Sequence, residues 1–220
     1  MGNIITQRQI RNAKRKAMPH PLGDVHHHLA NEVRWLHIKW ADYCRLYLHS
    51  KDVVGILNST APTFFSDLQR MLWEDVILHL CRLTDSPTMT TKKQTHERLT
   101  FKRLVPSIPN RRLQKKIDRL LSRLSRSLEF ARQRRNHKLA HLTLPIPKPP
   151  QIRRGRAKNV DRALELMRDI LDAIEGTYMK DEGPGNYETI EALGSITALL
   201  HFLQKGMEVE GPGALRRMNL

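Results

Sequence analysis

Cysteine is nearly missing from this chain: two in 220 residues, Cys44 and Cys81, both among apolar residues at helical spacing. No disulfide framework and no zinc-type spacing can be built from them. They read as small buried hydrophobes, with a reducing cytoplasm as the default compartment. Long apolar runs are also missing. None approaches the roughly 18 residues that a membrane span needs, and the N-terminus has no apolar signal-peptide core, so no membrane is expected. The opening MGNIIT fits an acylation pattern, but on six residues alone. Alternating strand patterns are scarce, and no repeat with a period of 20–50 residues is present. No glycine-rich phosphate loop joins a strand to a helix, and the acids do not gather into a two-metal nuclease site.

Acidic residues are missing from one region in particular. The formal charge is +16, yet residues 101–156 hold seventeen Lys/Arg against two acids, whereas 24–85 and 157–220 are each net negative. A field concentrated in this way favours phosphate-bearing partners and makes binding salt-sensitive.

What is present is helical periodicity. Residues 1–23 are polar and basic, closed by MPHPLG, and read as a flexible or loosely docked arm. From Asp24, the set Val25, Leu29, Val33, Leu36, Trp40, Tyr43, Tyr47 and Leu48 predicts an amphipathic helix of about seven turns. A short piece, KDVVGILN, follows. STAPTFF then opens a helix carrying Phe64, Phe65, Leu68, Leu72, Val76, Leu80 and Leu83. Residues 86–100 read as a loop. Pro109-Asn110 starts a long basic helix with Leu113, Ile117, Leu120, Leu121, Leu124, Leu128 and Ala131 inward, expected to reach about Leu142, where a Pro/Arg-rich loop (142–158) begins. Asn159 is the expected cap of the next helix, and Gly206 the expected stop of the last, before a tail at 207–220. The expected architecture is all-α: a four- to five-helix bundle over residues 24–206.

The run His26-His27-His28 suggests a metal, but neighbouring helical residues point in different directions and cannot chelate one ion together. An exposed or capping role is expected there, and no metal or other cofactor. The stretch ARQRRNHKLAHL (131–142) is more informative. Metal-free RNA cleavage needs few groups, because the ribose 2′-hydroxyl supplies the nucleophile. A histidine can move protons near neutral pH, and an arginine fork can stabilise the charge that builds on phosphorus. Arg135, Asn136 and His141 supply that set.

The same residues, R-N-H-K-L-A-H, resemble the signature of HEPN domains: an arginine, a polar residue, a short spacer and a histidine. Upstream, ILNSTAPTFFSDLQRMLWEDVILHLCRLTD resembles the AbiU-type HEPN family associated with abortive infection, over about residues 30–205. The resemblance implies a helical bundle that pairs as a homodimer, two motifs facing one another across a basic cleft, and, in many members, metal-independent RNA cleavage. Other members are catalytically silent and bind RNA or a partner protein.

The resulting expectation is a cytoplasmic phage-defence or toxin ribonuclease. His141 would be its acid or base, Arg135 its phosphorane stabiliser and Asn136 the orienting amide. RNA would be its substrate, and an antitoxin or regulatory protein its further partner. Arg132, Arg134, Lys138, Arg153, Arg154 and Arg156 are expected to bind RNA. Arg82 and Asp85 are candidates for lining the cleft, although an ion pair between them is the simpler reading. One tension stays open. On an ideal helix Arg135 and His141 stand about 240° apart, whereas Arg134 shares a face with His141. Either Arg134 is the working arginine, or Arg135 acts from an irregular turn.

Overall fold

A computed structural model of the chain describes residues 6–91, 94–136, 154–179 and 196–210. The fold is an all-α, HEPN-like helical bundle. Its helices are α1 (Gln7–Ala17), α2 (Leu22–Tyr47), α3 (Lys51–Thr60), α4 (Pro62–Thr84), α5 (Arg111–Ser127), α6 (Glu129–Arg134), α7 (Arg154–Tyr178) and α8 (Ile196–Glu210). Among the described residues, no helix is long and apolar enough to cross a membrane. The segment read as a loop holds a small antiparallel hairpin, β1 (Thr88–Thr90) with β2 (Thr95–Glu97), then two 3-10 turns at Phe101–Arg103 and Val105–Ser107. Each strand is three exposed residues long, too short for an alternating pattern to show.

The chain forms two compact units. One comprises residues 36–76 and 188–220. Its centre is Leu46, Leu57 and Phe65, packed with Leu68, Leu72 and the inner residues Ile196, Leu200 and Leu203 of α8. Trp40 stacks on Tyr43 and both lean on Trp73. The expected stop at Gly206 does not occur. The helix runs through to Glu210, since one glycine inside a helix costs only about 1 kcal/mol relative to alanine.

The other unit comprises residues 1–35 and 77–187, and it carries the basic helix. Asn110 caps α5 by accepting from the backbone N–H groups of Arg112 and Leu113, both at 3.0 Å. Leu113, Ile117, Leu120 and Leu124 form the buried stripe of α5, which packs against α7. The facing helix buries Val160, Leu164, Met167, Leu171 and Ile174. Asn159 is not a cap; α7 begins five residues earlier, at Arg154.

Two further expectations need correction here. Residues 7–17, within the segment read as a flexible or loosely docked arm, form a helix with a capping box at Thr6 and Gln9. Its Lys14 is buried, with Nζ 2.5 Å from Glu175 of α7 and 3.2 Å from Nδ1 of His26. The histidine run is also not exposed. His26 and His27 are buried, and only His28 faces solvent. With Nδ1 accepting from Lys14, Nε2 of His26 donates to the Leu171 carbonyl at 3.2 Å. Burial, then the Lys14 charge, pushes the His26 pKa down to about 4, so the ring stays neutral. The close approach of α1 also explains Gly23: a Cβ there would meet the Lys14 carbonyl oxygen at 2.5 Å.

Candidate functional site

The basic helix does not run unbroken to Leu142. It bends at Leu128, whose backbone (φ −100°, ψ 7°) leaves α-helical geometry. The break is braced by a side chain: Arg132 Nη1 donates to the Ser125 carbonyl at 2.7 Å. Arg132 therefore holds a helix joint. Beyond the joint lies α6, and at Arg135 and Asn136 the helix widens into a π-type turn. Such turns are frequent at functional sites. Arg135 therefore sits on an irregular turn rather than an ideal helix, while His141 lies outside the described residues.

The end of α4 meets this turn. Thr84 folds its hydroxyl back onto the carbonyls of Leu80 and Cys81, and the chain leaves the helix at Asp85. Arg135 Nη1 donates to both carboxylate oxygens of Asp85 at 2.7 Å, while Nε donates to Asn136 Oδ1 at 3.2 Å. The expected Arg82–Asp85 pair is thus replaced: Asp85 takes Arg135, with Arg98 Nη1 a further 4.0 Å away. Three residues separate Arg82 from Asp85, but Asp85 lies past the helix end, so helical i,i+3 geometry no longer holds for it. Hydrogen bonding to Asp85 raises the Arg135 pKa further, so this cation is permanent. Burial raises the pKa of the neighbouring Cys81 thiol, against the opposing pull of Arg135 and Arg132, and so Cys81 remains a neutral thiol.

Asp85 lies on the wall of an open cleft of about 500 Å³, lined also by Glu32, Arg82, Leu83, Arg98 and Leu99. Arg82 and Asp85 both line this cleft. Glu32 and Arg98 were not anticipated. Glu32 is held by the buried His79, whose Nε2 lies 2.8 Å from Oε2. Arg98 is positioned by the hairpin: its backbone N–H donates to the Pro87 carbonyl at 2.8 Å and its guanidinium touches the Met89 sulfur. Nothing in the sequence ties residue 98 to residue 85 before the hairpin folds back.

Among the other expected RNA-binding residues, Arg134 is half-buried on α6, and Arg154 and Arg156 occupy the first turn of α7. His137, Lys138, His141 and Arg153 lie outside the described residues.

A family model described as AbiU2, of the HEPN type, matches residues 20–191. The chain belongs to the AbiU2 HEPN family. No curated protein and no solved structure gives a match. The family span takes in α2 to α7 and the whole Arg135–His141 stretch. It leaves out α1 and α8.

Proposed function

We propose that this AbiU2-family protein is a metal-independent endoribonuclease acting as a homodimer in a phage-defence or toxin role. The observation that carries the reading is the aim of Arg135. Its guanidinium is fixed by two acceptors, Asp85 and Asn136, beside a cleft that also presents Arg82 and Arg98. A pre-aimed cation loses little freedom when charge develops on phosphorus, and this is where such donors gain their effect. In the proposed reaction the ribose 2′-oxygen attacks the adjacent phosphorus and gives up its proton to a base. The bond from phosphorus to the 5′-oxygen breaks, and that oxygen takes a proton. His141 serves this proton traffic. The products are a 2′,3′-cyclic phosphate and a 5′-hydroxyl.

One observation favours a second reading. The Nη1 of Arg135 is already engaged by the Asp85 carboxylate, which suits a silent module that binds RNA or a regulatory protein. Incubation with RNA in excess EDTA separates the two. The nuclease reading expects cleavage with cyclic-phosphate ends by the natural protein and none by His141→Ala. RNA binding without cleavage by the natural protein supports the silent module.

A further inference from the structure

A second basic feature lies on α5, away from the Arg135 cleft. Arg112, Lys116, Arg119 and Arg123 follow one another at steps of four, three and four residues, which keeps them within about 60° of one another around the helix axis. All four are exposed. They line an open groove of about 610 Å³ with Asn110, Leu113, Leu120 and, from α7, Ala173 and Thr177. The groove lining contains no carboxylate. The one acid on α5, Asp118, stands about 100° or more from the row. Among the described residues none of the four cations pairs with an acid; the one side-chain bond made by the row is from Arg119 Nε to the Lys115 carbonyl.

A solvated helix face interleaves both signs of charge, and this one does not. Four like charges along roughly 16 Å of helix repel one another, and a polyanion relieves that repulsion. The steps of about 4.5–6 Å along the axis are comparable to the separation of successive phosphates on a sugar–phosphate backbone. The small side chains of Ala173 and Thr177 on the opposite wall leave room for such a strand, and the apolar floor of Leu113 and Leu120 offers a surface for its sugars.

We infer that the α5–α7 groove is a docking track for a single strand of RNA, bound through its phosphates by Arg112, Lys116, Arg119 and Arg123. The track extends the proposed function by locating where a long substrate is held outside the cleft. It rests on that reading only for the choice of RNA as the polyanion.

The test replaces all four residues by glutamine and measures binding of a long single-stranded RNA at increasing salt, in EDTA. Each phosphate contact contributes about 0.7 to the log–log slope, so the variant's slope should be shallower by about 2.8. Its cleavage of a dinucleotide, too short to reach the groove, should match that of the natural protein, while half-saturation with long RNA should need more substrate. An unchanged slope overturns the track. So does a variant that loses binding to anionic lipid vesicles but keeps its RNA affinity. If the quadruple variant fails to fold, the paired changes Arg112→Gln/Lys116→Gln and Arg119→Gln/Arg123→Gln should each lower the slope by about 1.4. If the variant shows the expected slope change yet the natural protein cleaves nothing, the track stands and the nuclease reading falls.

Discussion

Arg135 and Asp85, fifty residues apart, meet through one guanidinium nitrogen placed 2.7 Å from each carboxylate oxygen. The carboxylate therefore fixes the direction of the arginine and also competes with any phosphate that approaches it. Asp85→Asn separates these effects. Losing the negative charge should strengthen RNA binding by a few-fold, because an opposing charge has been removed. Loss of aim should slow cleavage by roughly tenfold. Anisotropy and single-turnover cleavage measure the two, and a rise in both would make Asp85 a competitor only.

The motif itself predicts an ordered series in RNA cleavage assays. Arg135→Ala should reduce the rate by roughly 10²–10³-fold, the range for losing one transition-state donor. His141→Ala should remove most activity, since proton transfer contributes about 10²–10⁴-fold. Arg134→Ala should mainly weaken RNA binding, and His137→Ala should be mild. A dead Arg134→Ala with a mild Arg135→Ala would show that ideal-helix geometry governs the site. Unfolding of the whole series would make the motif structural.

Helix α1 is held by a buried charge pair, Lys14 with Glu175. Breaking such a pair from one side leaves an uncompensated charge, so Lys14→Met alone should cost about 3–5 kcal/mol. Lys14→Met with Glu175→Leu removes both charges and should recover most of that loss. Denaturant midpoints of the single and double variants check this.

How much of this was legible depends on the range of each signal. The stripes of α2, α4 and α5 repeat every three to four residues, and the sequence displays them directly. The docking of α1 rests on one lysine whose partner is α7's Glu175, and no local pattern marks it. His26 reads as exposed for the same reason, since its partners, Lys14 and the Leu171 carbonyl, lie on other helices. Asp85 was paired with Arg82 because only near neighbours are visible in a linear chain. The joint at Leu128 carries no breaker residue at all; its stability comes from Arg132. Of the candidate site, Arg135, Asn136, Arg82 and Asp85 were named from sequence and are brought together. Glu32 and Arg98 required the fold.

His26 gives a pH prediction with a definite sign. Its pKa is about 4 in the folded protein, against 6.5 for an unperturbed histidine. As pH falls from about 6.5 to about 4, the unfolded chain takes up a proton and the folded one does not, so stability is lost across that window and levels off below it. The loss is on the order of 3 kcal/mol at 1.36 kcal/mol per pKa unit. Lys14, Glu175 and His27 surround the ring, and His26→Gln should flatten the dependence while keeping both hydrogen bonds. Chemical denaturation at several pH values measures it.

A composite site needs two copies of the chain, and two-fold pairing is the common solution. Sedimentation at micromolar concentration should give about twice the 25.6 kDa of one chain. A strict monomer would remove the composite site.

The joint at Leu128 also sets a phase. Each residue added to a helix turns everything downstream by about 100° and advances it 1.5 Å. Arg135 finds Asp85 only if α6 leaves the joint at one rotational setting, and the Arg132–Ser125 bond is the pin that holds that setting. An alanine inserted between Glu129 and Phe130 would swing Arg135 a quarter-turn or more off its carboxylate while leaving α5 and its cations in place. The last turn before the motif thus behaves like a keyed coupling, in which length is spelled out in angle.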